Sequence, residues 1–339
     1  MLAQHSFRYS HTIGFYAVRG GRGFNNPVDM AIGPNKVIYV LNRAGPDYGE
    51  RLGSKRVTMC TVEEEYLGQF STGGTEDGEI MWPVSIAIDN EGKVYISDEA
   101  LHRISTFDEN GRYLRKWGLS GNKDGEFNGP SGIAFDQNDN LLIVDSRNSR
   151  IQRYTKDGQF LGGWGHEGDG DGEFNLPWGI CVDRSGAVYV ADWGNDRVQK
   201  FNSHGTHLAT WETSGGVAGQ LNRPAGVDVD REGNVYIADW GNERVQVMGA
   251  DGRFQLMLRG QATLSKWAEE YFASNPEERQ DRDISDLTPT LPEHLNTPYH
   301  ISSQTEPYFW GPISVTVDGA GRLYVTETNR HRFQVYQKP

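Results

Sequence analysis

Short apolar runs alternate with polar, glycine-bearing turns along most of the chain. The segment that starts at Pro177 shows the pattern clearly, with turns at Arg184–Gly186 and Asn202–Gly205. The alternation predicts four strands there, at Gly179–Asp183, Val188–Ala191, Arg197–Phe201 and Thr206–Trp211. Turns of this kind at short intervals are what tight hairpins require. The pattern therefore predicts an antiparallel unit of four short strands.

This unit repeats along the chain with a fixed period. Four copies begin at Pro83, Pro130, Pro177 and Pro224, each 47 residues apart, and two looser copies begin at Pro27 and Pro312. Repeats of this length with four strands each are typical of a β-propeller. We therefore expect an all-β, six-bladed β-propeller that forms a single domain over residues 1–339.

The last copy ends after its third strand, Arg332–Tyr336, and lacks a fourth. An apolar segment without a repeat of its own, Ile13–Val18, precedes the first copy at the place where a fourth strand belongs. We expect this N-terminal strand to complete the sixth blade, because pairing of the chain ends closes the ring and leaves no unmatched edge. Deletion of residues 1–18 should then unfold or aggregate the protein.

Particular residues recur at fixed places in the repeat. N-x-P precedes the first strand, an aspartate ends the second, and N-x-R opens the third, as in Asn175, Pro177, Asp192, Asn195 and Arg197. The pattern resembles the NHL repeat in residues as well as in period, over nearly the whole chain. NHL propellers include scaffolds and enzymes alike, so the resemblance implies the fold and leaves the function open.

One enzymatic branch of that family, the zinc-dependent peptide-amidating lyases, is not a close match. The resemblance would imply zinc-binding histidines directly after the repeat prolines. The residues at those places are Val28, Val84, Ser131, Trp178, Ala225 and Ile313. At the next position the only charged residue is Asp29, which we interpret as an isolated acid or as a hydrogen-bonding anchor. A lyase of that mechanism is therefore not expected.

Two insertions depart from the repeat length. In a propeller, the loops between second and third strands lie on the same face as the links between blades. The first insertion, of nine residues, falls in such a loop, Arg43–Lys55, which contains Tyr48. The second, of 41 residues, falls in the link before the sixth blade, at about 261–310. Long loops are commonly functional, so we expect the site on this face.

The second insertion carries helical signals. Its apolar residues follow the spacing of an amphipathic helix, at Leu264, Trp267, Ala268, Tyr271 and Phe272. Asn275, Pro276 and Glu278 then have the cap, first-position proline and third-position acid of a second helix start. We expect the first helix to dock on the face and to cover part of the central channel.

The rest of this insertion is rich in proline and aromatic residues, including Tyr308 and Trp310. It also contains His294, His300 and Glu306, although their spacing matches no common ligand pattern. We interpret the segment as an aromatic pocket wall and expect no cofactor. A metal at these three residues or in the central channel is the alternative.

Other polar residues recur in the repeat. The arginines that open the third strands stand beside the second-strand aspartates, which indicates a structural Asp–Arg or Asp–backbone contact in each blade. The run from His166 to Glu173 looks like a calcium loop, but weaker copies recur in other repeats, which favours a link between blades. His102 and His331 occupy matching loop positions, and a structural and a functional role are both open for them.

Composition limits the partners. The 339-residue chain has a net charge of −13, which disfavours a nucleic-acid partner. Cys60 and Cys181 show no paired spacing and are expected to be separate thiols. No apolar run is long enough to cross a membrane or to act as a signal peptide. We expect a cytoplasmic monomer, although an exported mature form would show the same sequence.

These observations favour a propeller that binds a small ligand or a protein segment on the insertion-bearing face. The alternative is a propeller enzyme, a lyase or hydrolase, with its site in the central channel beneath the 261–310 insertion. The candidate ligand-binding residues are Asp29, Arg43, Tyr48, His102, Trp178, Trp193, Trp240, His294, His300, Tyr308, Trp310 and His331.

Overall fold

The computed structural model describes residues 7–18, 20–45, 52–212 and 214–338. Within these ranges the chain forms six antiparallel sheets of four strands, which are the blades of a propeller ring. The predicted six-bladed β-propeller is therefore confirmed. We call the strands of a blade A to D, from the centre of the ring outward.

The strands follow one another in chain order. The first strand, β1, is Arg8–Ile13. Blade 1 comprises β2 (Pro27–Ile32), β3 (Ile38–Asn42), β4 (Arg56–Cys60) and β5 (Tyr66–Phe70), and blade 2 comprises β6 (Pro83–Ile88), β7 (Val94–Asp98), β8 (Arg103–Phe107) and β9 (Tyr113–Trp117). Blade 3 comprises β10 (Pro130–Phe135), β11 (Leu141–Asp145), β12 (Arg150–Tyr154) and β13 (Phe160–Trp164). Blade 4 comprises β14 (Pro177–Val182), β15 (Val188–Asp192), β16 (Arg197–Phe201) and β17 (His207–Glu212); blade 5 comprises β18 (Pro224–Val229), β19 (Val235–Asp239), β20 (Arg244–Met248) and β21 (Phe254–Leu258). Blade 6 comprises β22 (Pro312–Val317), β23 (Arg322–Glu327) and β24 (Arg332–Gln337), together with β1.

Burial differs between the strands of a blade in the way that the sequence pattern requires. Strand B is buried on both faces, as in β15, while strand D alternates, as in β13, where every second residue is exposed. Strand B lies between two neighbouring blades, and strand D lies at the outer edge, so only strand D keeps the half-buried period of two. A cluster of buried apolar side chains fills each of the six interfaces between blades.

The N-terminal strand closes the ring. β1 pairs antiparallel with β24, and Ile13 lies opposite Phe333 in a buried cluster. The expected closure is confirmed, but the predicted bounds, Ile13–Val18, are wrong. The strand ends at Ile13 because Gly14 follows with φ = +98°, a conformation that suits glycine. A Cβ at Gly14 would also lie 2.2 Å from the Phe24 ring, so the chain turns toward blade 1 at this point.

The predicted ion pair holds in three blades. Arg150, Arg197 and Arg244 donate from Nε to the aspartates that end strands B, at distances of 2.8, 2.7 and 2.7 Å. Their other nitrogens donate to carbonyl groups of the preceding inter-blade link, which fastens strand C to that link. Blade 6 uses Glu327 in place of the aspartate. Blade 2 shows the other predicted form, because Asp98 accepts backbone N–H groups while Arg103 donates to link carbonyls.

The calcium-like run is an inter-blade link, as expected. Glu173 accepts a hydrogen bond from the N–H of Gly170 through Oε2. Glu79, Glu126 and Gln220 make the same bond to residues three positions earlier in their own links. Among the described residues no cluster of three or more His, Cys, Asp or Glu side chains is placed to hold a metal ion.

The second insertion contains three short helices, α1 (Lys266–Ser274), α2 (Pro276–Ile284) and α3 (Pro298–Gln304). The first two were predicted, and α3 was not. Ser265 caps α1, while the side chain of Asn275 makes no capping bond to α2 and donates to the Tyr271 carbonyl instead.

Cys60 and Cys181 are both buried free thiols, as expected. Within the described ranges, none of the helices is long and apolar enough to cross a membrane.

Candidate functional site

The A strands line a central channel that encloses a cavity of about 210 Å³. In blades 3, 4 and 5, the second residue after the repeat proline is a glycine. These glycines are Gly132, Gly179 and Gly226. A Cβ at Gly179 would lie 2.4 Å from the Ala225 carbonyl oxygen, and the other two are as tightly confined. These glycines therefore allow the A strands of blades 3 to 6 to approach closely.

On the other side of the ring, Asp29 takes the place of those glycines. Its Oδ1 accepts hydrogen bonds from Ser314 Oγ (2.7 Å) and the Met30 N–H (2.9 Å). Its Oδ2 accepts hydrogen bonds from Ser85 Oγ (2.7 Å) and the Ile86 N–H (3.0 Å). Burial raises the pKa of Asp29, and these four hydrogen bonds oppose that rise. Asp29 therefore joins blades 6, 1 and 2. Of the two roles that the sequence left open, an isolated acid and a hydrogen-bonding anchor, the structure shows the anchor.

A second carboxylate in the channel, Asp228, was missed by the sequence reasoning. It accepts hydrogen bonds from the N–H groups of Val229 (2.8 Å) and Val317 (2.6 Å). Burial raises the pKa of Asp228 to about 6, and the charge of Asp29 adds to the rise. The sequence does contain a signal for Asp228, because it is the one charged residue in a strand whose other residues are apolar.

A second cavity, of about 350 Å³, lies at the channel mouth on the face of the B–C loops. We call it the mouth cavity. It shares Trp178, Ala225 and Ile313 with the channel, so it lies directly above it. Its other lining residues are Glu99, Gly129, Ser146, Arg147, Leu176, Trp193 and Trp240. Blades 4 and 5 supply its three tryptophans, so the structure brings the predicted Trp178, Trp193 and Trp240 together.

The aromatic side of the mouth cavity is built from repeat positions. Trp193 and Trp240 each follow the aspartate that ends strand B, and their ring centroids are 6.4 Å apart at an angle of 44°. Arg223, from the link before blade 5, places its guanidinium carbon 4.8 Å from the centre of the Trp193 ring. The cation and the neighbouring aromatic ring both restrict the Trp193 side chain.

The opposite side of the mouth cavity is charged. Glu99 pairs through Oε2 with Arg43 Nη2 at 2.9 Å and through Oε1 with Arg147 Nη2 at 2.6 Å. Lys55 donates to the Arg43 carbonyl, and Arg43 and Lys55 both lie over the Trp82 ring, at 4.4 and 5.1 Å from its centre. The predicted Arg43 is therefore part of a charged cluster beside the cavity.

The two histidines at matching loop positions are structural. His102 Nδ1 accepts a hydrogen bond from the Gly129 N–H at 3.1 Å, and His331 Nδ1 accepts one from the Asn26 N–H at 3.0 Å. Burial lowers the pKa of His331 to about 4, so its ring is neutral at pH 7. Asp196 and Glu243 accept the corresponding bond in blades 4 and 5. These side chains fasten blades 2, 4, 5 and 6 to the start of the blade that follows each of them.

The first helix of the insertion, α1, does not lie over the channel, contrary to our expectation. None of its described residues lines either cavity. Trp267 of α1 is buried between blades 6 and 1, and its N–H donates to Glu64 Oε2 at 3.2 Å. The reason is that the apolar stripe of α1 meets the exposed edge of the closing blade, where β1 leaves a groove to fill.

The other candidate residues of the insertion do not line the mouth cavity, although α3 packs against the turn Trp240–Asn242 at its rim. His300 Nδ1 is bonded to the Thr297 hydroxyl at 2.8 Å, and Glu306 forms an ion pair with Arg282. Trp310 packs against Tyr299, with ring centroids 5.9 Å apart. His294 lies in a short turn, Glu293–Leu295, and the Tyr308 carbonyl accepts a bond from Arg332. Tyr48 lies outside the described residues.

Arg147 and Lys55 are site residues that the sequence reasoning did not select. Arg147 directly follows Ser146, the blade 3 equivalent of Trp193 and Trp240. Alignment of the six repeats at this position would have placed Arg147 on the rim, because equivalent positions in a propeller form a ring. Lys55 ends an insertion of irregular length, so no repeat position could have located it.

Sequence comparison decides the family. The family model of the NHL repeat matches residues 127–154, 174–201, 221–248 and 309–336, which lie in blades 3 to 6. The chain is an NHL-repeat propeller. No curated protein matches the sequence of this NHL-repeat propeller at a significant level.

Several solved structures share the fold of this NHL-repeat propeller. A catalytically inactive virginiamycin B lyase from Staphylococcus aureus, solved with quinupristin, is 12% identical with a TM-score of 0.57, over 98% of this chain and 89% of that chain. A protein of unknown function from Bacteroides thetaiotaomicron is 17% identical with a TM-score of 0.62, over 98% of this chain and 76% of that chain. A chain of a nidogen/laminin complex is 18% identical with a TM-score of 0.52, over 74% of this chain and 92% of that chain. At such identities the likeness extends to the fold alone.

Proposed function

We propose that this NHL-repeat propeller is a binding module that holds a small ligand, or an extended protein segment, in the mouth cavity. The observation that carries the proposal is the convergence of Trp178, Trp193 and Trp240 on one concave space. Ligand sites are typically concave, lined by aromatic and apolar groups, and supplied with a few placed polar groups. Glu99 and Arg147 are the charged side chains that line the cavity.

The enzyme alternative has less support. Neither cavity is lined by a histidine of the described residues. Asp29, which lies in the channel, accepts four hydrogen bonds through its two oxygens, and three of them come from blades 2 and 6. A general acid or base has to exchange a proton with a substrate, and an anchoring carboxylate of this kind is poorly suited to that. The site therefore favours retention of a ligand over its conversion.

The proposal includes a monomeric, cytoplasmic protein. β1 and β24 belong to the same chain, so the ring and its mouth cavity are complete without a second copy. Two buried thiols that remain unpaired are compatible with a reducing compartment.

A neutral aromatic dye tests the proposed site. Phenylnaphthylamine fluoresces in apolar surroundings and carries no charge. We expect it to bind to the protein, and we expect Trp193→Ala and Trp240→Ala each to weaken binding by roughly 5- to 30-fold, as loss of an aromatic contact worth about 1–2 kcal/mol predicts. Fluorescence titration measures the dissociation constants.

The matched control is Leu208→Ala, which removes an exposed apolar side chain on the outer strand of blade 4. Its dissociation constant should equal that of the unmodified protein. Equal dye binding by the two tryptophan variants and the unmodified protein would show that the dye sits elsewhere, and the proposed function would be rejected.

A further inference from the structure

Among the residues that the structure describes, cations outnumber acids on the blade 1–3 side of the mouth cavity. Arg43, Lys55 and Arg147 lie near two carboxylates, those of Glu99 and the buried Asp98. Burial lowers the pKa of Arg43 to about 10, and the charge of Arg147 adds to the decrease. Burial and the charge of Arg43 likewise lower the pKa of Lys55. An excess of positive charge therefore lies at one spot of a protein whose net charge is −13.

Four acids beside the mouth cavity already have partners, and among them the buried Asp98 accepts hydrogen bonds from the N–H groups of Met81 and Trp82. Both oxygens of Glu99 are paired, one with each arginine, and its side chain is only 13% exposed. Asp196 accepts from the Arg223 N–H and from Ser214 Oγ, while the buried Glu243 accepts from the Gly311 N–H. Glu99 thus holds the two arginines in place, and the three cations exceed Glu99 and Asp98 by one positive charge.

The local backbone directs Arg147 into the mouth. Gly129 stands directly before the repeat proline, where the other blades have Asn26, Trp82, Leu176, Arg223 and Gly311. A Cβ at Gly129 would lie 3.2 Å from both Cδ and Nε of Arg147, and φ there is +67°. The arginine stem therefore lies across the glycine, and the Arg147 side chain remains half exposed to the cavity.

We propose that the ligand of the mouth cavity is a small organic anion with a planar aromatic part. Its acidic group pairs with Arg147 beside Arg43 and Lys55, and its rings pack against Trp193 and Trp240. This inference rests on the proposed binding function and adds the chemical class of the ligand. The cavity volume of about 350 Å³ falls within the range of small-molecule sites and favours a small ligand over a folded partner. Arginine is suited to the acidic group because its planar fork matches carboxylate, sulfonate and phosphate oxygens.

The test compares two dyes that differ in one group. Anilinonaphthalene sulfonate has the rings of phenylnaphthylamine and an added sulfonate. We expect the sulfonate dye to bind the protein more tightly than the neutral dye at low salt, by roughly 3- to 10-fold. Sodium chloride at about 0.5 M should remove most of that difference, because salt screens a partly exposed ion pair.

Variants of Arg147 assign the difference to the site. Arg147→Met should reduce the advantage of the sulfonate dye to less than about twofold, while Arg147→Lys should keep most of it, because Lys retains the charge. The neutral dye reports on each variant whether the aromatic cavity is intact. The matched control is Arg112→Met, which removes an exposed arginine from the C–D turn of blade 2 on the opposite face and should leave the advantage unchanged.

The outcomes separate the two proposals. The anion assignment is overturned if the unmodified protein binds the two dyes equally, or if the advantage of the sulfonate dye survives Arg147→Met. In either case, tryptophan-dependent binding of the neutral dye would still uphold the binding function. If neither dye depends on Trp193 and Trp240, both proposals fail. Tight binding of an acidic peptide, without binding of the small anion, would also overturn the inference.

Discussion

Glu243 occupies in blade 5 the turn position that His102, Asp196 and His331 occupy in blades 2, 4 and 6. All four have positive φ, between 50° and 55°, and all accept a hydrogen bond from the residue before the next repeat proline. A left-handed backbone conformation is costly for these residue types, and the recurring bond between blades offsets that cost. The shared geometry explains why two histidines that looked chemically interesting serve the fold.

The pKa of Glu243 leads to a prediction about stability. Burial raises it from 4.5 to about 7, the hydrogen bond from Gly311 opposes the rise, and the charge of Glu327 adds to it. The folded protein therefore holds this proton more tightly than the unfolded chain. Its contribution to the free energy of unfolding is present below about pH 4.5 and is lost as the pH rises through about 7.

Glu243→Gln keeps an acceptor oxygen for the Gly311 N–H and removes the titration. We expect the variant to match the unmodified protein at pH 4.5 and to be more stable at pH 8 by about 3 kcal/mol. Urea unfolding at the two pH values gives the free energies. Glu277→Gln on the exposed surface of α2 is the control for the change of net charge. A variant that is less stable than the unmodified protein at pH 8 would contradict this role of Glu243.

At the scale of secondary structure, the closing strand carries the next prediction. Ile13 is fully buried in a cluster with Phe24, Phe333 and Val335, and β1 covers the edge of β24. Removal of residues 1–18 exposes both that cluster and the strand edge. We expect the shortened chain to lose its cooperative thermal transition and to aggregate, since an open apolar edge pairs with other chains.

Differential scanning calorimetry measures the transition, and a synthetic peptide of residues 7–18 should restore part of it. The intact chain serves as the control and should sediment as a single chain, as expected for a ring that closes on itself. Cooperative unfolding of the shortened chain at the temperature of the intact protein would refute the closure role of β1.

The strands were predictable from the sequence because each repeat supplies the same signal independently. The four predicted strands of blade 4 agree with β14 to β17 within two residues at each end. β1 has no repeat to align with, and its apolar neighbours, Phe15 to Val18, misled the prediction. The stretch that forms the strand, Arg8–Ile13, is less apolar because most of its side chains lie at the outer edge of the ring.

The insertion was predictable only in part. The amphipathic period of α1 and the proline at the start of α2 identified two helices, because these signals are local. Where α1 docks depends on a groove between blades 6 and 1 that exists only after the ring has closed. The period of a helix identifies its apolar face but not the surface that receives it, so the expected cover over the channel was wrong.

At the scale of the whole molecule, the ring is uneven in a way that singles out one region. Glycines allow close approach of the A strands in blades 3 to 6, and Asp29 with its two serines joins blades 6, 1 and 2. Above this channel, blades 4 and 5 contribute the tryptophans, and blades 1 to 3 contribute the charges. An aromatic half that faces a charged half is the feature that distinguishes this propeller from a symmetric scaffold.

A crystal structure of the protein with anilinonaphthalene sulfonate bound is the most direct test of this account. We predict that the dye occupies the mouth cavity, with its rings within about 4.5 Å of Trp193 or Trp240 and its sulfonate within hydrogen-bonding distance of Arg147. A mouth cavity that remains empty at saturating dye, or a dye ordered only on the outer strands near Leu208, would contradict the central claim that this cavity is the binding site.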